Sequence, residues 1–174
     1  NQGNSGGALV NQNGQLVGIN TAIVSETGYY TGYSFAIPSK IAKKVVEDFI
    51  LYGEIQRAYI GISAIEITAQ FAREANIKDV KGLYVARVEP NSGADDAGIK
   101  QGDILLAINN EEVNSSSRLL EIISKYRPGD KLNLTIKTNN KARNVTITLK
   151  DNTGSTKTHA ADGSKSSYST MGAT

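Results

Sequence analysis

Hydrophobic positions along the chain change period several times, and each change marks an element. Asn1 to Ala8 is rich in glycine and polar residues and reads as loop, and Leu9-Val10 begins a short apolar stretch. Asn13-Gly14 is a tight hairpin signal, because both residue types tolerate positive φ. Gln15 to Ile23 then predicts a strand, with Leu16, Val17 and Ile19 apolar. Thr27 to Gly32 predicts a loop tip, and Tyr33 to Ile37 a further strand ended by Pro38. Beyond it the spacing becomes helical. Ile41, Val45 and Phe49 recur at four-residue intervals, and Val46 and Ile50 widen the stripe. With Ser39 as N-cap and Gly53 as C-terminal cap, Lys40 to Tyr52 predicts an amphipathic helix.

After a short connection, Glu54 to Ala58, brief strands and helices succeed one another. Strands are expected at Ile60 to Ile67, Leu83 to Val88 and Asp103 to Ile108. Thr68 caps a short helix through Ala75, and Ser92 caps a helical turn ended by Gly98. An Asn109-Asn110 turn leads to a helix over Ser115 to Tyr126, with Leu119, Ile122, Ile123 and Tyr126 at helical spacing. Leu132, Leu134 and Ile136 alternate along one strand, and Val145, Ile147 and Leu149 along its antiparallel partner, with a turn over Asn139 to Lys141. From Asp151 onward Ser, Thr, Gly, Lys and Asp dominate, which predicts a flexible linker. The expected organisation is therefore three parts: residues 1–53, a compact α+β domain over 54–150, and a tail over 151–174.

Composition narrows the chemistry. The 174 residues contain no cysteine, which excludes disulfides, thiolate metal sites and a cysteine nucleophile. A net charge of +2 gives no footprint for nucleic acid. No apolar run approaches the ~18 residues of a membrane span. The first residue is Asn1 and the segment after it is not a signal peptide, so the chain is expected to start inside a longer protein.

Gly3-Asn4-Ser5-Gly6-Gly7 carries the candidate chemistry. A serine hydroxyl is a poor nucleophile until a base takes its proton, and the developing oxyanion needs fixed N–H donors. Glycines around Ser5 let the backbone bend so that amides, those of Gly3 and Ser5, converge on one concave site. The same five residues fit the GxSxG elbow of α/β-hydrolases, but that reading demands a helix directly after the serine. A glycine pair, a short apolar stretch and a hairpin turn come there instead. The only histidine is His159, in the polar tail, where a solvated side chain is the plain expectation. No aspartate or histidine precedes Ser5.

GNSGGALVN, NGQLVGINTAI and YSFAIPS, taken together, resemble the end of the protease domain of the HtrA/Deg family of trypsin-like serine proteases. Asn4 and Ala8 stand where ordinary trypsin-like enzymes have aspartate and proline, which fits the HtrA branch, switched by loop rearrangement rather than by activation cleavage. The resemblance implies that Ser5 is the nucleophile, that Gly3 contributes a backbone donor, and that Ile19, Asn20 and Thr21 border the primary specificity pocket. Plain core packing accounts for Ile19 equally well. It also implies cleavage after small aliphatic residues.

Tyr59-Ile60-Gly61-Ile62 resembles the carboxylate-binding loop of HtrA-type PDZ domains, and PNSGADDAGIKQGDILLAINNEEV, Pro90 to Val113, resembles the body of that domain. A small residue at Gly61 would let adjacent amides converge on an anionic C-terminus, and a side chain there would intrude on the carboxylate. The strand from Ile62 would offer an open edge, and Leu119 and Ile123 would face the peptide together with Tyr59, Ile60 and Ile62. For any one of these apolar residues a core role is as good a reading. The resemblance covers residues 1 to about 150.

The expected fold is thus mixed: the C-terminal part of a trypsin-like all-β barrel with its closing helix, followed by an α+β PDZ domain. The resemblance implies an ATP-independent serine endoprotease acting on misfolded proteins in the periplasm or cell envelope. Its partners would be unfolded protein substrates and C-terminal peptides, its parent would be a trimer-based homo-oligomer, and no cofactor or metal is implied. The chain alone would be inactive, lacking the catalytic histidine and aspartate. The alternative is a non-enzymatic PDZ module beside a vestigial protease segment.

Overall fold

The computed structural model describes residues 3–23, 34–75, 77 and 81–160. The loop expected over Thr27 to Gly32 and the end of the tail lie outside these residues. Strands β1 (Ala8–Val10), β2 (Leu16–Ile23) and β3 (Ser34–Pro38) form an antiparallel sheet in chain order. The turn joining β1 to β2 is organised by Asn11, not by a pair of positive-φ residues. Asn11 Oδ1 accepts from the amides of Asn13 and Gln15, both at 3.0 Å, and only Gly14 takes positive φ, at 74°.

Helix α1 (Ser39–Tyr52) begins with no residue between it and β3. Pro38, still paired with Gly18 across the sheet, is its N-cap, and no side chain caps it. Ser39, expected as the cap, is instead the first helical residue. Gly53 ends the helix as expected, in the left-handed conformation with its N–H on Phe49 O. The apolar stripe of α1 is divided. Ile41 and Val45 are half-buried, while Phe49, Val46 and Ile50 are exposed.

The second part contains β4 (Ile62–Glu66), α2 (Ala69–Glu74), β5 (Leu83–Val88), α3 (Gly93–Asp96), β6 (Ile104–Ile108), β7 (Glu111–Glu112), α4 (Ser116–Ile123), β8 (Lys131–Thr138) and β9 (Lys141–Thr148). The sheet order is β4-β5-β6-β8-β9, with β7 paired to β6. A bridge between Tyr59 and Lys150 brings the stretch before β4 against the stretch after β9, so the sheet curls towards closure. Its interior is apolar: Leu83, Val85, Leu105, Ile108, Leu134 and Ile136 are all essentially inaccessible.

The caps read from sequence are in place. Thr68, Ser92 and Ser115 each accept a backbone N–H three residues on. Asn109, Asn110, Asn139 and Asn140 take the positive φ that their turns require. Helix α4 stops three residues short of the expected Tyr126. The amides of Lys125 and Tyr126 reach only three residues back, a tightened last turn ahead of Arg127-Pro128.

Candidate active-site loop and peptide cleft

The loop bearing Ser5 is built on β2. Gly6 N–H donates to Asn20 O at 2.7 Å, Asn20 N–H donates back to Gly7 O at 2.9 Å, and Gly7 N–H closes a turn on Asn4 O at 3.0 Å. Gly3 and Gly6 hold φ of 95° and 83°, which L side chains rarely adopt. The chain after Ser5 enters strand β1 rather than a helix, so the hydrolase-elbow geometry is absent. Ser5 is exposed, and its hydroxyl donates to Thr21 O at 2.8 Å. A neutral carbonyl accepts a hydrogen bond without removing the proton, so nothing in this arrangement activates the oxygen. Among the described residues, the amides of Gly3 and Ser5 have no acceptor, leaving both donors available. Ile19, Asn20 and Thr21 are half-buried along β2 beside the loop. Ile19 pairs with Ala8 on one side and Ile37 on the other, a place that suits packing as well as a pocket rim.

His159 is engaged away from Ser5. Its Nε2 lies 2.5 Å from Asp151 Oδ2, and its backbone N–H and C=O pair with the side-chain amide of Gln56, both at 2.8 Å. Burial alone would raise the Asp151 pKa. Hydrogen bonds from Thr153, His159 and Ser155 outweigh it and hold the carboxyl well below the usual carboxylate range. Composition predicts a linker from Asp151, but these contacts tie residues 151–160 back to the body. The anchor to the body is the Gln56–His159 pair, 103 residues apart in sequence, which composition does not reveal, while Asp151 bonds Thr153, Ser155 and His159 within the tail.

All six residues expected to bind peptide, Tyr59, Ile60, Gly61, Ile62, Leu119 and Ile123, line one cleft of about 810 Å³. Ile60 and Leu119 belong mainly to the core, whereas Ile62 and Ile123 are half-buried at its edge. The carbonyls of Ile60 and Gly61 are used by the amides of Ala94 and Glu89, at 3.0 and 2.8 Å. Among the described residues, the amides of Ile60 and Gly61 have no acceptor, the arrangement that suits an anion. Strand β4 lies at the end of its sheet path with β5 as its partner, so its other edge can take an added strand. Arg57, exposed and without an ion pair among the described residues, also lines the cleft.

Gly61 has a structural reason of its own to lack a side chain. Its φ is 85°, and a Cβ built there would come within 2.0 Å of Ser92 Cβ. Ser92 caps α3, so the clash reaches that helix. Gly61→Ala should therefore destabilise the domain by roughly 2–3 kcal/mol. Urea unfolding followed by circular dichroism checks this, and an unchanged midpoint with lost peptide binding would restore the carboxylate-intrusion reading.

Family models bear on the chain as a whole. The PDZ domain model matches residues 58–149 and the trypsin model residues 1–46. The periplasmic pH-dependent serine endoprotease DegQ of Escherichia coli K12 is 42% identical over 155 residues, covering 89% of this chain and 34% of that protein. The chain belongs to the HtrA/Deg family. Its trypsin-like segment is followed by one PDZ domain. The periplasmic serine endoprotease DegP of the same organism is 39% identical over 149 residues, covering 86% of this chain and 31% of that one. The HtrA-type protease AlgW with a decapeptide superposes with a TM-score of 0.63 at 35% identity, over 86% of this chain and 46% of that one. The serine endoprotease from Yersinia pestis does so with 0.52 at 38%, over 86% and 48%. This HtrA/Deg chain thus spans about a third of the length of the curated relatives it matches.

Sequence reasoning missed the polar junction between α1 and the PDZ domain. Asp48, with no exposed surface, sits 2.6 Å from Lys44 Nζ and 2.6 Å from Arg127 Nε, and its Oδ2 accepts the Gln56 amide at 3.0 Å. Lys44 also donates to Gln56 O, and Arg127 pairs with Glu47 at 3.2 Å. Lys44 and Asp48, one turn apart within an apolar stripe, were the signal available.

Proposed function

We propose that this chain is part of an ATP-independent serine endoprotease of the HtrA/Deg type that acts on misfolded proteins in the periplasm. The periplasmic serine proteases among its relatives support the compartment and the reaction. Ser5 is the nucleophile. A histidine and its orienting aspartate come from a part of the protein outside these 174 residues and turn the Ser5 hydroxyl away from Thr21 O. The amides of Gly3 and Ser5 bind the oxyanion, and Ile19, Asn20 and Thr21 border the pocket for the residue before the cut. The longer protein assembles as a trimer-based homo-oligomer, as the family resemblance implies.

The PDZ domain recognises free C-termini of unfolded protein substrates. One observation carries this: two main-chain amides without acceptors among the described residues, at Ile60 and Gly61, stand beside the open edge of β4 and an apolar cleft. The bound decapeptide in the AlgW structure supports it. Main-chain pairing is largely independent of sequence, so selectivity falls to the carboxylate and the side chains in the cleft. A peptide ending in valine or phenylalanine should bind at micromolar level, about −8 kcal/mol. Its C-terminal amide should bind at least tenfold more weakly, by fluorescence anisotropy with the 174-residue chain. Equal affinities would make the loop a structural turn only.

A further inference from the structure

The cleft is not made by the PDZ domain alone. Ile41 and Val45 of α1, in the trypsin-like segment, line it together with Ile62 and Ile123. Ile41, Lys44, Val45 and Asp48 recur at intervals of three and four residues, so they share one face of α1. The polar members fix that face to the PDZ domain: Asp48 through Arg127, and Lys44 through Gln56 O. The apolar members stay half-buried and open to the cleft. Val46, Phe49 and Ile50 point elsewhere and are exposed. At about 810 Å³ the cleft has the size of a site that encloses a drug-sized ligand, about 300–1,000 Å³, more than one terminal side chain needs.

We infer that the peptide site is composite, with α1 as one wall, and that Ile41 and Val45 select an apolar side chain near the peptide's C-terminus. The inference rests on the carboxylate-recognition reading above. A peptide added to β4 runs extended, and its side chains alternate in direction. The carboxylate held at Ile60 and Gly61 fixes its register, so one of the last side chains meets α1 while the others meet Ile62 and Ile123. Truncating the wall removes apolar contact for that side chain and leaves the carboxylate contacts untouched.

The test uses the 174-residue chain and free-acid peptides in which phenylalanine or alanine is placed in turn at each of the last three positions. The wild type should prefer phenylalanine at least tenfold at two of these positions. In Ile41→Ser/Val45→Ser one of the two preferences should fall at least fivefold, while the acid-over-amide preference persists. Ile50→Ser, altered on the exposed face, should match the wild type. Because the double variant could lose α1 altogether, a second readout uses the unaltered chain: a benzophenone-bearing peptide should crosslink to residues 40–48. Unchanged selectivity in a folded double variant, or crosslinks confined to 59–66 and 116–126, would overturn the composite site. Loss of the acid-over-amide preference in the wild type is a different result, and it overturns the carboxylate reading itself.

Discussion

Purified as the 174-residue chain, the protein should hydrolyse casein no faster than its Ser5→Ala variant. The reason is chemical. The hydroxyl of Ser5 donates to Thr21 O, and the sole histidine of the sequence is bound to Asp151 and Gln56. With no base in reach among the described residues the oxygen keeps its proton, and an oxyanion hole has nothing to stabilise. In the longer protein the same substitution should be drastic. Removing the nucleophile of a serine protease lowers turnover by about 10⁴–10⁶-fold and leaves only what binding and the oxyanion donors supply. Peptide binding by the PDZ domain should survive, because Ser5 lies outside the cleft. Measured casein turnover and peptide affinity in the same pair of proteins separate these effects. Fast hydrolysis by the short chain, abolished in Ser5→Ala, would mean that a base is present within it.

The second large effect is expected at Asp48. Its carboxylate is wholly buried and ties Lys44, Arg127 and the Gln56 amide together. Asp48→Ala strands the buried Lys44 ammonium, and breaking such a pair costs about 3–5 kcal/mol. Removing both charges in Lys44→Met/Asp48→Leu should cost much less, since Arg127 can still reach Glu47 and water. The direction of the pKa shift sets the pH dependence. Burial would raise the Asp48 pKa, but hydrogen bonds from Lys44, Arg127 and Gln56 outweigh it and hold it below the ordinary carboxylate range. A lowered folded-state pKa contributes stability that is present above the unfolded value, about 3.9, and is lost as pH falls through the folded one. Urea midpoints of wild type and Asp48→Ala should therefore differ most at neutral pH, and the difference should shrink as the pH is taken below the ordinary carboxylate range. A constant difference across that range would remove Asp48 ionisation from the account.

Much of the PDZ domain was legible because its signals are local. Thr68, Ser92 and Ser115 cap helices through their own side chains, and asparagine pairs make turns at 109–110 and 139–140. The GNSGG loop was legible for the same reason. What sequence did not reveal depends on partners far along the chain. Strand β7 is two glutamates, Glu111 and Glu112, which pair only because β6 lies beside them. The division of the α1 stripe is set by which neighbour each side chain meets. An apolar period of four fits one buried face as well as two faces with different duties. At Gly61 the local pattern points to a small residue, but Ser92, which a Cβ there would meet, is thirty-one residues away and leaves no sign in that pattern.

The central claim is that Ser5 is the nucleophile of an HtrA/Deg protease, and labelling tests it most directly. The longer protein would be treated with a fluorophosphonate, which phosphonylates only a serine whose proton a neighbouring base removes. Peptide mapping by mass spectrometry then locates the adduct. One adduct is expected, on the peptide containing Ser5, with loss of casein hydrolysis in proportion to labelling. Hydrolysis inhibited by an adduct on another serine, with Ser5 unmodified, would contradict it.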